Sequence, residues 1–512
     1  MNAPHACTPT GLLERYANQV EGTLSCLDRV VITGTLVEVA HADAVTARLA
    51  HEGILCFDIK EFADPLRRQI CERAKSLATD AGLEVEFIRR KNFRKDERVA
   101  AILEKRGRHP GLVHVFSAME NCTAFEPWHD RQGGRASVRA TSGKCLHFYF
   151  YFMHARLGLI DVRVQTWLPC RIQIYFNGHN ALALRLGKAG IGYTMEDNAF
   201  VQCDDWAGAQ QLADDFDLSA LHCDLDTLAA QCVPFLHQFP AGYHWSLMQV
   251  KYATDLVWKS REALAPVYAE ISRQAILTVK APDVAKFLGR PLPKTPDTQV
   301  GSDFSTRVEG TRIKHFFGPA SLKLYDKRGR VLRIECTAND VTFFKHHRKV
   351  EHCDGTVTSQ LTPLKQSIDS LGDLRGLLGA ANTRYLQFLS DLEDRSEGPR
   401  RLDKITTPIS DGNKRRSRGF NLFCACDLEA LLAVFRGEHL ISGMTNKRLR
   451  PLLPGWSSGK ISRLLKPLRL HEVLKKIGKT YKYSITGTGR RLLLALLKIC
   501  EHLIIPTLAA PA

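Results

Sequence analysis

SLKLYDKRGRVLRIECTAND, residues 321–340, is two alternating runs around a Gly-containing turn, and it carries Lys323, Asp326, Lys327, Arg328, Arg330, Arg333 and Glu335. Period-two alternation on both sides of a turn residue predicts a β-hairpin. The sequence leaves its register open. A three-residue turn with Gly329 in a left-handed position pairs Tyr325 with Arg333 and Lys323 with Glu335 on one face. A two-residue turn instead sets Lys323 and Tyr325 opposite Ile334 and Leu332 and leaves a plain surface hairpin. The first register makes a polar face suited to a phosphodiester, with Lys323, Lys327, Arg333 and, upstream, Lys314 as phosphate-binding candidates. Its structural alternative is a hairpin whose Arg333 and Glu335 simply pair with each other.

Around the hairpin, 512 residues allow two to four domains, and 44% hydrophobic with 24% charged residues is the composition of a globular chain. The charge is unevenly placed. Residues 401–512 hold 21 Lys and Arg against 7 Asp and Glu, so most of the formal +17 lies there. A surplus of that size points to a polyanion, DNA first and RNA as a second possibility. The opening MNAPHACTPTGLLERY lacks the pattern of a secretory signal, and the apolar tail is broken by Lys498, Glu501, His502 and Pro506. A cytoplasmic location and no membrane partner are expected. The 15 cysteines are scattered without CxxC spacing and read as reduced thiols, and no metal site is expected.

Along the chain, SCLDRVVITGTLVE (25–38), 112–118, 145–153, 161–167 and 171–177 read as strands. Residues 42–52 and 64–81 read as helices, and helical patterns dominate 219–288. The fold class expected is α+β: a mostly antiparallel-sheet body over 1–290, continued by the charged hairpin and a helical region over 303–393. GRPLPKTPDTQVGS (289–302) and the segment 129–143 read as loops, and 394–419 as a basic linker. HFYFYF (147–152) offers either a core or a base-stacking platform, and Gln165, Trp167, Arg171, Gln173 and Tyr175 could share its sheet surface.

From Asp427 the chain reads helix, helix, helix, two-stranded wing, helix. Asp427, Thr445 and Ser457 or Ser458 are plausible N-caps. Ile461, Leu464, Leu465 and Leu468 form an apolar stripe opposite Lys460, Arg463 and Lys466. This order, centred on SRLLKPLRLHEVLKKIGKTYKYSITGTGRRLL, resembles the winged-helix domain of MarR-like regulators over 420–512. The resemblance implies that Ser458, Lys460, Arg463 and Lys466 face the major groove, that Lys479 and Lys482 on the wing meet phosphates, and that Arg490 and Arg491 add backbone contacts. Pro467 departs from it, because proline inside the third helix should kink or shorten it.

The body carries no GxxxxGK[ST], GxGxxG, HExxH or GxSxG, so ATP-driven and zinc-protease chemistries are not expected. Tyr325-Asp326-Lys327 followed by Leu332-Arg333-Ile334-Glu335 resembles a signature of plasmid and filamentous-phage replication initiation proteins. That resemblance implies origin DNA as partner and a nicking tyrosine, with Tyr325 the candidate and Glu335 beside it. Spread acids such as Asp28, Glu120, Asp161 and Asp197 would have to hold Mg²⁺ if cleavage is metal-dependent; of these, Asp28 and Asp161 join Tyr325 and Glu335 as catalytic candidates. No other cofactor is implied. DRVVITGTL, VRVQTWLPCRIQIYFNG and LKLYDKRGRVLRIE together resemble a large bacterial winged-helix family of mobile or repetitive genome segments, which carries no activity with it. Three functions follow as expectations: a DNA-binding protein whose body also contacts nucleic acid, a mobile-element initiator, nuclease or transposase-like enzyme, and a ligand-sensing transcriptional regulator that could be a homodimer.

Overall fold

A computed structural model describes residues 11–90, 92–129, 136–291, 300–307, 310–351, 356–393, 403, 405–410, 416–421, 424–434, 443–478, 480–487 and 489. The chain forms two compact units that divide between Glu393 and Asp394.

The first unit is built on one sheet. Its strands are β1 (Val20–Leu36), β2 (Val85–Phe87), β3 (Gly111–His129), β4 (Ala136–His154), β5 (Gly158–Gln165) and β6 (Ile172–Asn177). A separate hairpin of β7 (Tyr193–Glu196) and β8 (Ala199–Cys203) follows, then β9 (Tyr243–Trp258), β10 (Val300–Arg307), β11 (Gly310–Phe317), β12 (Ala320–Lys327) and β13 (Val331–Ala338). Eleven of these join in the order β10-β11-β12-β13-β9-β1-β6-β5-β4-β3-β2. Every pair is antiparallel except β2 with β3, so the unit is α+β with a mostly antiparallel sheet.

The two faces of the sheet differ in chemistry because side chains alternate along each strand. One face carries Val30, Ile32, Phe148, Phe150, Phe152, Ile160, Val162, Ile172, Ile174 and Leu256, all buried in the main core together with residues of helices Ile59–Asp80, Leu218–Cys232, Arg261–Thr278 and Leu371–Glu393. The opposite face is covered only in part. Helix Lys95–Arg106 packs Val99 and Leu103 near Phe116, Tyr149 and Tyr151, while Leu182, Leu186, Phe200 and Ala209 close over Leu24 and Cys26.

Three local readings differ from expectation. β9 falls inside the stretch read as helical: Ala253 to Trp258 are buried on both faces, polar Thr254 and Asp255 among them, so this half of the strand has no alternation of buried and exposed residues. Residues 136–143 belong to β4, paired with β3 along its length, rather than to a loop. Asn177-Gly178 ends β6 as read, but Asn177 also accepts from Asn180 N and so caps a helix, Gly178–Ala189. Gly178 is required there, since a Cβ would lie 2.0 Å from the carbonyl oxygen of Leu27. Of the loop read over 289–302, 292–299 lie outside the described residues, and Val300 already belongs to β10.

In the second unit, helices Ala425–Val434, Asn446–Leu449 and Ser458–Leu470 precede paired strands Leu474–Lys476 and Tyr483–Ile485. Ile461, Leu464, Leu465 and Leu468 are buried with Ala430, Leu431, Met444, Leu449 and Leu474. The segment read as linker contributes to this core: Ile405 is buried and accepts from Phe420 N, and 409–410 pair with 416–417. Asp427 is not an N-cap. It is buried inside its helix and accepts from Arg418 and from Asn421 N. Thr445 and Ser457 do cap, accepting from Arg448 N and Lys460 N. Pro467 does not end its helix, which continues to Leu470.

Candidate functional site

The hairpin of residues 321–340 takes the three-residue turn, Arg328-Gly329-Arg330, with Arg328 and Gly329 at φ 58° and 72°. Asp326 Oδ1 accepts from Gly329 N at 2.9 Å and holds the turn. Tyr325 therefore pairs with Arg333 and Lys323 with Glu335. In β9, Asp255 lies opposite Arg333 and Ala253 opposite Glu335, and Leu24 of β1 lies opposite Asp255. The polar side of the hairpin thus continues onto the partly covered face of the whole sheet.

At this end of the face the charges are enclosed and matched. Arg333 is fully buried. Its Nε and Nη2 donate to Asp255 at 2.6 Å each, Nη2 also donates to Asn198 O at 2.7 Å, and Nη1 is 3.6 Å from Asp28 Oδ1. His179, carried in by the start of helix 178–189, sets Nε2 3.0 Å from Arg333 Nη2 and Nδ1 3.3 Å from Asp28 Oδ1. Asn198 Nδ2 donates to Asp28 Oδ1 at 2.5 Å. Burial alone would raise Asp28, but His179 and the Arg333 guanidinium hold its carboxyl far below the usual range. Asp255 is likewise held down against its burial, by Arg333 and His179. Glu335 accepts from Lys323 at 2.6 Å, Tyr325 Oη at 3.0 Å and Thr337 at 3.2 Å, with Lys251 at 3.3 Å, and the two lysines depress it against its burial.

This corrects the phosphate-binding role expected of Arg333: its donors point at carboxylates inside the protein and none reaches a phosphate outside. Lys323 is committed to Glu335, and burial lowers it. Lys327 is brought down to about 8 by burial and by Arg333. Lys314 stands on β11 opposite Lys323, with its ammonium 5.9 Å from the centre of the Phe316 ring. Burial and the Glu335 charge push the Tyr325 hydroxyl well above the ordinary tyrosine range, so the resting side chain is the neutral phenol.

The acids expected to share Mg²⁺ do not converge. Asp28 is in the Arg333 cluster, Asp197 pairs with Arg328 at 2.7 Å, and Glu120, near Asp161 in a different part of the sheet, is bound by Arg163 at 2.6 Å. Among the described residues, no three His, Cys, Asp or Glu side chains are arranged to hold a metal ion. The donor set does not fit the metal-dependent reading.

A β-bulge in β1 separates this cluster from a second region. Leu27 pairs with Tyr252 and Val30 with Val250, so two residues, Asp28 and Arg29, oppose Lys251 alone. Asp28 turns into the Arg333 cluster. Arg29 turns the other way, its guanidinium 4.8 Å from the centre of the Tyr175 ring, and lines an open cavity of about 670 Å³. Two cross-strand rows form the cavity floor. Tyr151, Asp161 and Tyr175 lie side by side on β4, β5 and β6, and Tyr149, Arg163 and Gln173 form the next row. Helix Lys95–Arg106 supplies Lys95, whose ammonium is 3.2 Å from the centre of the Tyr149 ring. A smaller cavity of about 430 Å³ shares Arg163 and Gln173 and continues past Thr33, His147, Gln165 and Arg171.

Asp161 is unlike the other acids on this face. Its Oδ1 is buried and has no hydrogen-bond partner. Burial, reinforced by Asp96 and Glu120 and opposed by Lys95 and Arg163, raises its carboxyl to about 7. Glu120 beside it is satisfied: Tyr149 Oη and Arg163 both donate to it, and they lower it against its burial. The sequence reading reached Asp161, Gln165, Gln173 and Tyr175 but missed Arg163, Lys95, His179 and Asp255. Arg163 could have been found by the same alternation as Asp161 and Gln165, whereas Lys95 and His179 arrive on helices from outside the sheet and leave no strand-periodic signal.

In the second unit, Ser458, Lys460, Arg463 and Lys466 are exposed on the helix side opposite the buried stripe. Ser458 Oγ donates to Asn446 Oδ1 at 3.2 Å, and Asn446 Nδ2 donates back to Ser458 O at 2.8 Å, which clamps two helices. Lys460 sits 3.8 Å over the Trp456 ring and Arg463 Nε donates to Gly459 O. Lys482 precedes the second strand of the hairpin, partly exposed, and its O accepts from Ile477 N. Lys479, Arg490 and Arg491 lie outside the described residues. Among the described residues, no helix is long and apolar enough to cross a membrane. Comparison of the chain with protein-family models, curated proteins and solved structures finds no match.

Proposed function

We propose that this protein binds DNA, with its second unit acting as a winged helix and the α+β body contributing further nucleic-acid contacts. The reading is carried by one arrangement. Helix Ser458–Leu470 buries Ile461, Leu464, Leu465 and Leu468 and directs Lys460, Arg463 and Lys466 outward, next to a hairpin that ends in Lys475, Lys476 and Lys482. A helix with one cationic face beside a basic hairpin suits the major groove and its flanking phosphates. The excess of 21 Lys and Arg over 7 Asp and Glu in residues 401–512 supplies the field that draws DNA in.

A mobility-shift titration of the full chain on duplex DNA across a salt series tests this. About six phosphate contacts give a log–log salt slope on the order of −5, and the variant Lys460→Ala/Arg463→Ala/Lys466→Ala should flatten it by about 2 to 3. Unchanged affinity and slope in the variant would sink the groove assignment. Cleavage remains a second reading because Tyr325 Oη donates to a carboxylate, the pairing of nucleophile and base. Glu335, already neutralised by two lysines, is a poor base, so incubation with supercoiled or single-stranded DNA and Mg²⁺ or Mn²⁺ is expected to give no nicks and no covalent adduct. Nicking that Tyr325→Phe abolishes would reverse that order.

A further inference from the structure

The cavity over β4, β5 and β6 is built for a planar polar ligand with a negative charge. Its floor sets Tyr151 and Tyr175 on either side of Asp161 in cross-strand register, where neighbouring side chains are about 5 Å apart. Its walls carry Arg29, Lys95 and Arg108 together with the acids Asp96 and Glu104, and Arg163 joins the cations from the floor. At about 670 Å³ it falls within the size range of small-molecule and cofactor sites. The buried, unpartnered Oδ1 of Asp161 is the feature that demands a ligand, because an unmatched buried acceptor costs free energy that a donor from outside would recover.

We propose that this cavity binds a nucleotide, its base against the tyrosines with the Watson–Crick edge on Asp161 and its phosphate among Arg29, Lys95 and Arg108. Aromatic faces take any base, and edge hydrogen bonds choose among them. A protonated carboxyl offers O–H and C=O side by side and complements the ring nitrogen and amino group of adenine or cytosine. An ionised carboxylate accepts from the ring N–H and amino group of guanine. Uracil and thymine present an N–H beside a carbonyl, which a protonated carboxyl also matches, whereas an ionised carboxylate takes the N–H and leaves its second oxygen facing a carbonyl. With Asp161 ionised the site therefore selects guanine, and with Asp161 protonated it takes adenine, cytosine and uracil alike.

Selection shifts with pH, since Asp161 changes protonation near neutrality. The charged and titratable groups around it are Lys95 and Asp96 on the covering helix, Arg163 on its own strand, Glu120 on β3, Tyr149 and Tyr151 on β4, Tyr175 on β6 and Arg29 on β1. Glu120 is locked to Tyr149 and Arg163, and burial raises the hydroxyls of the three tyrosines, so Asp161 is the group that titrates in this range. The site belongs to the first unit and does not depend on DNA binding by the second.

Calorimetric titration of the full chain with adenosine, cytidine, guanosine and uridine 5′-monophosphates at pH 6 and pH 8 tests it, with a single-stranded tetranucleotide of each base as a second arm. The adenine, cytosine and uracil ligands should bind at least about fivefold tighter at pH 6 than at pH 8, and at pH 8 guanine should bind at least about tenfold tighter than uracil. Tight binding of monophosphates marks a free-nucleotide site, and tight binding of tetranucleotides alone marks a site for one nucleotide of a strand; either supports the proposal. Asp161→Asn presents C=O and NH₂ in a fixed order. It should keep adenine, cytosine and uracil binding, remove its pH dependence and abolish the preference for guanine at pH 8. Lys460→Ala/Arg463→Ala/Lys466→Ala should leave all nucleotide binding unchanged while weakening duplex binding. No binding of either ligand form, uracil bound as tightly as guanine at pH 8, or base preference unaltered in Asp161→Asn would overturn the proposal.

Discussion

Two regions of one sheet face, divided by the bulge at Asp28 and Arg29, hold comparable charge and arrange it in opposite ways. Around Arg333 the cations and carboxylates share hydrogen bonds and ion pairs, with His179 Nδ1 3.3 Å from Asp28 but without a hydrogen bond, and the carboxyls are held down as ions. Around Asp161 the carboxyl is buried with one oxygen unmatched and is held up near neutrality. Density of charge in a sequence therefore does not locate a ligand site. What separates the two regions is whether each buried carboxyl oxygen has its partner, and that depends on which elements cover the face. Helix 178–189 brings His179 down onto the first region, beside Asp28 and Arg333. Helix 95–106 lines the cavity over Asp161 and gives its Oδ1 no hydrogen bond.

The largest effect should come from breaking the closed region. Arg333→Met strands Asp28 and Asp255 as buried carboxylates, and a chemical-denaturation curve should show a loss of about 3–5 kcal/mol. If Arg333 gripped phosphate instead, the same change would weaken DNA binding and leave the unfolding midpoint nearly in place.

The open region should respond with the opposite sign. An acid whose pKa is about 7 folded against 3.8 unfolded contributes stability that is fully present below about pH 4 and is lost as pH rises through 7. Asp161→Asn cannot ionise. It should be more stable than the parent protein by about 2–4 kcal/mol at pH 8, with the difference fading towards pH 4 in parallel denaturation series. A variant less stable than the parent at pH 8 would mean that Asp161 is ionised and paired, like the acids beside Arg333.

Tyr325→Phe probes the edge of the closed region. Its hydroxyl donates to a carboxylate that keeps its lysines, so a loss of about 1–2 kcal/mol is expected in the same denaturation assay. An unchanged midpoint would show that the hydroxyl is dispensable there.

Much of this was legible in the chain, and for definite reasons. The alternation in 321–340, 145–153 and 161–177 gave strands because each has one apolar and one polar side, and that same alternation put Asp161, Gln165, Gln173 and Tyr175 on one face. HFYFYF held both of its readings at once: Phe148, Phe150 and Phe152 enter the core while Tyr149 and Tyr151 line the cavity. β9 was hidden because burial on both faces erases the period of two. Choosing between an inward, saturated Arg333 and a phosphate-gripping one needed the partner strand, since Asp255 lies 78 residues away and inside that unread strand. The bulge that parts Asp28 from Arg29 is a property of pairing with β9 and has no signature in β1 alone.

The smallest expected effect is also the one that tests the open region most directly. The Lys95 ammonium lies over the Tyr149 ring and, among the charges acting on Asp161, is the strongest that favours its ionised form. Lys95→Met keeps the stem of the side chain and removes the charge, so packing on helix 95–106 changes little. The Asp161 titration, followed by carboxyl-carbon NMR, should then move upward by about half a unit or more, because only the opposing Arg163 is left to counter burial. Burial itself lowers Lys95, so the lost ammonium was costly to keep there, and the variant should match the parent in stability at pH 6 within about 0.5 kcal/mol. In the closed region a comparable change cannot be made quietly, since removing Lys323 or Arg333 leaves an ionised carboxylate behind. An Asp161 titration that stayed in place, or a stability loss of several kcal/mol in Lys95→Met, would place the two regions in one class and remove the basis for treating the open one as a ligand site.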